Sequence, residues 1–432
     1  MEAEGDDMIV TQGALVSLLL LRNTKGINSY CYTGKSSARK KFLASSSRTM
    51  LPEIVRSVED QIVVQKESDA SKGASFSTRL VVHFDINETV LVGDDAGGDT
   101  REDSLNKILA KSAFVRIPSN KKVVWGKTME KNSDLIEPSR WWDGQVIGDA
   151  QDGEVPPPLY TGWNWPPGCC PYYRTAFKKR AKRFVDHKDG KKYKKLYDEL
   201  ESRLMFPATT ETKGLPDILS HLLPALFETI QTLQDRSQPV RFVFRTFGSD
   251  LPDIANAITA FSRGKHPSYP KFIHPELELN TIVRGRWNKD GVYQLWDYSL
   301  QTVLASGDAE IIEFLDSHLM CGIQDDYEYW AANGWEPWAG KPVWVPKWND
   351  DVHHVLFDDN IHNLEHDSIA SVRLQQEEGR PYQTLSGKET MEMQGLYLIR
   401  VPTVEPILNT KWFVKKVDQA QQLFAEDRDL LN

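Results

Sequence analysis

Three apolar runs in this chain end on residues able to handle a metal ion or a phosphoryl group. LVVHFDINETV at 80–90 closes on Asp85, Asn87 and Thr89; PVRFVFRTFGSD at 239–250 closes on the Thr246 hydroxyl; HHVLFDDN at 353–360 closes on the carboxylates Asp358 and Asp359. Strand side chains alternate between faces, but a chain leaving its strand at Asp85 can curl so that the Asp85 carboxylate and the Asn87 carbonyl converge on one ion. Read alone, the first run is also a buried strand leaving through an ordinary Asp/Asn turn. After Thr246, Gly248 leads into a helix expected from Ser249 or Asp250, with Ile254, Ile258 and Phe261 on one face. Its first turn would offer free N–H groups to an anion. Further on, Gly340, Lys341 and Pro342 place a cation in a turn, with Lys347 a competitor for that role.

In this order the four segments resemble the motifs of the haloacid dehalogenase-like phosphohydrolase superfamily. On that resemblance Asp85 is the nucleophile, Thr246 the phosphate-binding hydroxyl, Lys341 the cation that neutralises phosphate, and Asp358/Asp359 the metal-binding pair. The resemblance covers roughly 78–93, 215–262 and 340–425. It implies a Mg²⁺-dependent phosphohydrolase or phosphotransferase acting on a phosphorylated small molecule or a phosphoprotein. A carboxylate that attacks phosphorus forms an aspartyl phosphate and splits one difficult displacement into two easier ones. Carboxylate and phosphate repel, so cations must neutralise them, and Mg²⁺ suits an all-oxygen site. The expected arrangement has Asp85, the Asn87 carbonyl and Asp358 or Asp359 on Mg²⁺, with Lys341 and Thr246 on the non-bridging phosphate oxygens.

Asn87 departs from the resemblance. Phosphatases of that superfamily usually carry a second Asp two residues after the nucleophile, as general acid and then base. An amide neither gives nor takes a proton at neutral pH. Either Glu88, Asp94 or Asp95 supplies the proton, or the substrate has a good leaving group such as an acyl phosphate or phosphoanhydride, or the domain binds phosphorylated ligands with little turnover.

The elements needed to position these residues follow from periodicity. Apolar residues at helical spacing over 215–233, 308–320 and 414–424 predict helices, and 396–401 predicts a strand. Strands alternating with helices predict an α/β fold: a doubly wound, Rossmann-like parallel sheet with helices on both faces. Asp290-Gly291 between two strand-like runs predicts a hairpin, and Arg284 and Arg286 on the first run are phosphate-contact candidates. The distance from Asp85 to Thr246 exceeds one crossover, so 94–212 reads as an insertion, opened by a capping box at Thr100 and Asp103. The resemblance makes it a cap over the site, leaving 78–93 and 213–432 as the core; a surface subdomain is the plainer alternative. The insertion carries a basic run, Arg174, Lys178, Lys179, Arg180, Lys182 and Arg183, then Lys188, Lys191, Lys192, Lys194 and Lys195, interrupted by Phe177, Phe184 and Tyr193. That run is either a collar for polyanions or RNA, or a solvated helix face with its aromatic rings turned inward. A Trp/Tyr cluster from Tyr327 to Trp348 is either core or a stacking surface.

The 432 residues carry a net charge of −9, which gives no global attraction for nucleic acid. Four cysteines show neither metal spacing nor a disulfide framework, which fits a reducing compartment. His353 and His354 would point to opposite faces of one strand and read as structural. No run approaches the roughly 18 apolar residues of a membrane-spanning helix. Residues 1–77 read as an N-terminal extension; 1–50 is Ser-rich and basic after an acidic start. The expectation is a cytoplasmic protein with a loosely attached extension, the alternative being an organelle transit segment.

Overall fold

A computed structural model describes residues 78–429, apart from 94–97, 120–136, 152, 162–164, 176–177, 206–214 and 363–367. The N-terminal extension, Asp94, Asp95 and Phe177 lie outside the described residues. In chain order the elements are β1 (Arg79–Asp85), α1 (Arg101–Ser112), β2 (Phe114–Arg116), β3 (Cys169–Pro171), α2 (Lys194–Leu204), α3 (Pro224–Gln234), β4 (Val240–Thr246), α4 (Leu251–Ser262), β5 (Ile282–Trp287), β6 (Tyr293–Asp297) and β7 (Val303–Ser306). They continue with α5 (Asp308–Ser317), β8 (Met320–Gln324), α6 (Tyr327–Ala332), β9 (Lys341–Pro346), β10 (Val352–Asp358), β11 (Ala370–Gln375), β12 (Gln383–Thr384), α7 (Gly387–Glu392), β13 (Leu398–Arg400), α8 (Val404–Leu408) and α9 (Trp412–Asp429).

The fold is mixed α/β around an eight-stranded sheet of order β13-β10-β1-β4-β8-β5-β6-β7. Pairing is parallel from β13 through to β5; at the other edge the β5–β6 and β6–β7 pairs are antiparallel, so β6 alone among the eight strands runs in the opposite direction. The central strands β1, β4 and β10 are almost wholly buried, which explains their continuous apolar sequences. Leu80, Val82 and Phe84 of β1 share a core with Phe227 and Ile230 of α3, Ile254 and Phe261 of α4, and Phe413 and Val417 of α9. Val81, in the opposite alternation, packs with Val243, Ile323, Ile311 and Leu315 of α5, and Trp344 of β9. Each such side chain stabilises the fold by about 1.5–3 kcal/mol when fully buried.

Among the described residues there are two smaller sheets, β12-β11-β9 and the antiparallel pair β2-β3. The capping box at Thr100 and Asp103 starts α1. The Asp290-Gly291 hairpin joins β5 to β6, with Gly291 at φ 73° where a side chain would be strained.

Two expectations need correction. The helix expected over 215–233 is broken into a 3₁₀ turn at Asp217–Ser220 and α3 from Pro224. Proline presets the first helical residue but forces the preceding one, Leu223, to an extended conformation (ψ 135°). Lys341 is not in a turn: it opens β9, paired in parallel with β11. Pro342 and Pro346 fit the strand because β9 lies at the edge of its sheet, where proline is tolerated. Among the described residues no helix is long and apolar enough to cross a membrane.

Candidate active site

Strand register brings the candidate residues together. Phe84 pairs with Phe357, so Asp85 and Asp358 end neighbouring parallel strands at the same level. On the other side Asp85 pairs with Arg245, one residue before Thr246. Lys341 arrives from the small sheet, its N–H donating to the Ile369 carbonyl at 2.7 Å. Gly340 permits that approach, since a Cβ there would overlap the same carbonyl.

The Lys341 ammonium donates to Asp85 Oδ1 and, at 2.8 Å, to Asp358 Oδ2. Thr89 Oγ1 donates to Asp85 Oδ2 at 2.9 Å and accepts from the Asp359 N–H at 3.0 Å, tying the two strand ends together. Asn360 steadies the acidic pair: its N–H donates to Asp358 Oδ1 and its Nδ2 to Asp359 Oδ1, both at 2.9 Å. Lys347, the competitor for the Lys341 role, instead lies 3.4 Å from Asp427.

Carboxylate oxygens of Asp85, Asp358 and Asp359, all buried, lie within 4.8 Å of one another. Burial, then repulsion from Asp358, pushes the Asp85 carboxyl well above its ordinary value against the pull of Lys341. Burial likewise raises Asp359 to about 6, with Lys111 opposing. Burial would strip Lys341 of its proton, but attraction to Asp358 and Asp85 prevails and holds it charged. These three hard oxygen donors, crowded in a low-dielectric site, fit a small divalent cation.

Asn87 stands beside Thr246: its Nδ2 donates to Asp250 Oδ2 at 2.9 Å and lies 3.4 Å from Thr246 Oγ1. Thr246 Oγ1 accepts from the Gly248 N–H at 2.8 Å. Glu88 is engaged as a counter-ion: it pairs with Lys111 and, at 2.9 Å, with Lys107. Burial would raise its carboxyl, yet Lys111 and Lys107 pull it below the ordinary value. Its φ of 59° is unusual for a residue with a Cβ.

Sequence reasoning missed several residues that shape the site. Lys111 of α1 reaches Asp359 Oδ2 at 2.8 Å, a contact across 248 positions. Beneath Thr246, Arg245 pairs with Asp325 and donates to the Pro342 carbonyl at 3.0 Å, next to Lys341. An arginine inside the apolar run 239–247 was the available signal, since a buried guanidinium demands a partner.

The basic run of the insertion is largely matched internally. Lys182 pairs with Asp99, Lys192 lies 2.6 Å from Glu154 and Lys194 3.0 Å from Asp198, while Phe184 and Tyr193 are buried. Arg284 lies 4.6 Å from the Tyr298 ring centre, and Arg286 donates to the Gly285 carbonyl. The aromatic cluster is mixed. Trp344 is core, whereas Trp330 stacks on Phe247 at 5.0 Å, and the Phe247 ring centre is 5.2 Å from Lys341 Nζ. His353 and His354 are both buried. No family model, no curated protein and no solved structure matches this chain.

Proposed function

We propose that the protein is a Mg²⁺-dependent phosphohydrolase or phosphotransferase of the haloacid dehalogenase-like type, working through a phosphorylated Asp85. One observation carries the reading: the Lys341 ammonium bridges Asp85 and Asp358 at the ends of adjacent parallel strands, with Asp359 beside them. Asp85 is held by Thr89 on one oxygen and Lys341 on the other, which restricts how its carboxylate can be aimed. Lys341 and Thr246 are the groups we assign to the non-bridging phosphate oxygens, Lys341 supplying fixed positive charge where negative charge accumulates. Asp85, Asp358, Asp359 and the Asn87 carbonyl are the donors for Mg²⁺, which when bound would offset carboxylate–phosphate repulsion.

Sheet order supports a doubly wound reading. From β1 the chain passes to β4 beside it, continues to β5, β6 and β7 at the far edge, comes back to fill β8 between β4 and β5, and then crosses to β10 and β13 on the other side of β1. The carboxyl ends of β1 and β10 therefore flank a topological switch point, the usual ligand position in open α/β sheets. We assign 78–93 and 213–432 to this core and 94–212 to a cap, a reading supported by the reach of Lys111 to Asp359. The substrate class is a phosphorylated small molecule or phosphoprotein.

Asn87 favours a second reading, a phospholigand-binding module without turnover, because the amide cannot shuttle protons. Phosphate release from acetyl phosphate in Mg²⁺ separates the two. The native chain is expected to turn over and to be trapped as a phosphoprotein, whereas Asp85→Asn does neither. If the native chain neither turns over nor takes up phosphate, the enzyme reading is lost.

A further inference from the structure

Resting on that reading, we infer that Asn87 serves the reaction as a fixed hydrogen-bond acceptor and not as a proton carrier. Asp250 is the positioning residue that fixes it, and the substrate is an acyl phosphate or phosphoanhydride, whose leaving group departs without a proton.

The orientation of the Asn87 carboxamide is set by its surroundings. Its nitrogen faces two acceptors, Asp250 Oδ2 at 2.9 Å and Thr246 Oγ1 at 3.4 Å. An amide placed that way round must present its oxygen on the other side. That oxygen, Oδ1, is buried and has no hydrogen-bond partner among the described residues. A buried acceptor left unsatisfied costs about 1–3 kcal/mol, so a donor belongs there.

Asp250 is shaped for this task at the expense of its local one. It stands at the N-cap of α4, where an aspartate ordinarily accepts from an N–H of the first turn. No such capping bond is made, and the side chain turns to Asn87 instead. Gly248 leaves room for the turn: a Cβ there would overlap Asp250 Oδ2 and stand 3.3 Å from both Asn87 Nδ2 and Thr246 Oγ1. The segment between β4 and α4 is thus built around one amide beside the phosphate-binding hydroxyl.

The chemistry follows from what an oriented amide can do. In the first half-reaction an Asp85 oxygen bonds to phosphorus as the bridging P–O bond breaks, and its electron pair leaves on the bridging oxygen. A carboxylate or phosphate leaving group is stable as that anion; an alkoxide is not, and would need a proton that the amide cannot give. In the second half-reaction Asn87 Oδ1 accepts a hydrogen bond from water aimed at phosphorus. The water oxygen bonds to phosphorus, the bond to Asp85 breaks with its pair returning to the carboxylate, and the displaced proton stays on the released inorganic phosphate. Glutamine orients water in this way in P-loop GTPases, without acting as a base.

The test compares acetyl phosphate with glycerol 2-phosphate in Mg²⁺, using native, Asp250→Asn and Asp250→Ala chains, and follows both free phosphate and phosphorylated protein. The native chain is expected to favour acetyl phosphate by at least about 10²-fold. Asp250→Asn keeps an acceptor oxygen for Asn87 and should stay within a few-fold of native. Asp250→Ala should release phosphate about 10²-fold more slowly while phosphorylated protein accumulates, because only the water step is impaired. Equal native rates on the two substrates overturn the inference. So do Asn and Ala variants that are equally slow with the larger loss on glycerol 2-phosphate, since that pattern makes Asp250 a proton donor. If the Ala variant does not fold, the native and Asn chains still decide between these outcomes. A native chain inert on both substrates brings down the underlying reading, whereas turnover without leaving-group preference brings down this inference alone.

Discussion

Arg245, next to Thr246 in β4, forms a buried ion pair with Asp325, with Nε to Oδ2 at 2.9 Å and Nη2 to Oδ1 at 2.5 Å. Tyr293 donates to the same carboxylate at 2.5 Å, and Arg245 also holds the Pro342 carbonyl beside Lys341. Removing one partner leaves an uncompensated buried charge, which costs about 3–5 kcal/mol. Asp325→Asn and Arg245→Met should each lower the unfolding free energy by that amount, and the urea midpoint with it. Arg245→Lys should keep more stability than Arg245→Met, but lose the two-pronged contact and misplace Lys341. Urea unfolding read alongside phosphate release checks both effects, and unaltered midpoints would remove the pair from any supporting role.

Millimolar Mg²⁺ should raise the melting temperature, because a ligand of the folded state alone stabilises it by mass action. The rise should shrink on acidification. Burial holds the Asp85 and Asp359 carboxyls above their ordinary values, Asp359 at about 6, so protons compete with the cation as pH falls towards that value. Differential scanning fluorimetry across this range is the measurement. Asp359→Asn should reduce both the shift and its pH dependence.

Acid should destabilise the fold before ordinary carboxylates titrate. Burial lowers His353 and His266 to about 4 and His354 to about 3, and it also depresses His83, with His354 and Arg245 adding repulsion. Below about pH 6.5 the unfolded chain binds protons that the native state refuses, so stability rises with pH and is lost on descending towards pH 4. Each histidine contributes up to about 1.4 kcal/mol per pH unit in that window. His362 is likewise held down by burial, with Arg174 adding repulsion, so five imidazoles act in this direction; Asp85, Asp359 and Asp316, raised by burial, pull the other way. Denaturant titrations in Mg²⁺ at several pH values should show a falling midpoint; a flat profile would contradict the burial of these imidazoles.

Gly340→Ala tests how Lys341 is delivered. The new methyl group overlaps the Ile369 carbonyl, so β9 must move away from β11 and take Lys341 with it. Turnover should fall by about 10²-fold or more, as for other misplaced catalytic groups. Metal-free stability should drop as well, by about 1–3 kcal/mol. Preserved activity would show that the ammonium does not depend on this close approach.

The strand ends were legible in the sequence because each is a local signal, an apolar run that stops on a polar residue. Asp85, Thr246 and Asp358 were found that way, and register brings their strands together. The charges that surround them were not legible. Lys111 meets Asp359, and Arg245 meets Asp325, only through packing of segments 248 and 80 positions apart. Spacing along the chain carries no trace of such encounters. Lys341 was legible as a cation but not as part of a strand, since its parallel partner β11 comes later in the chain and flanking prolines masked the pattern.

The Lys111–Asp359 contact ties α1 to the candidate metal site. Lys111 belongs to that helix and Asp359 to the turn that leaves β10, so their bond is intact only while the helix stays close. A divalent cation that displaces the ammonium from Asp359 weakens the helix's hold, and retraction of the helix raises affinity for the cation by the same free energy. If the acidic pair binds a cation, its occupancy and the docking of α1 would be linked in one equilibrium.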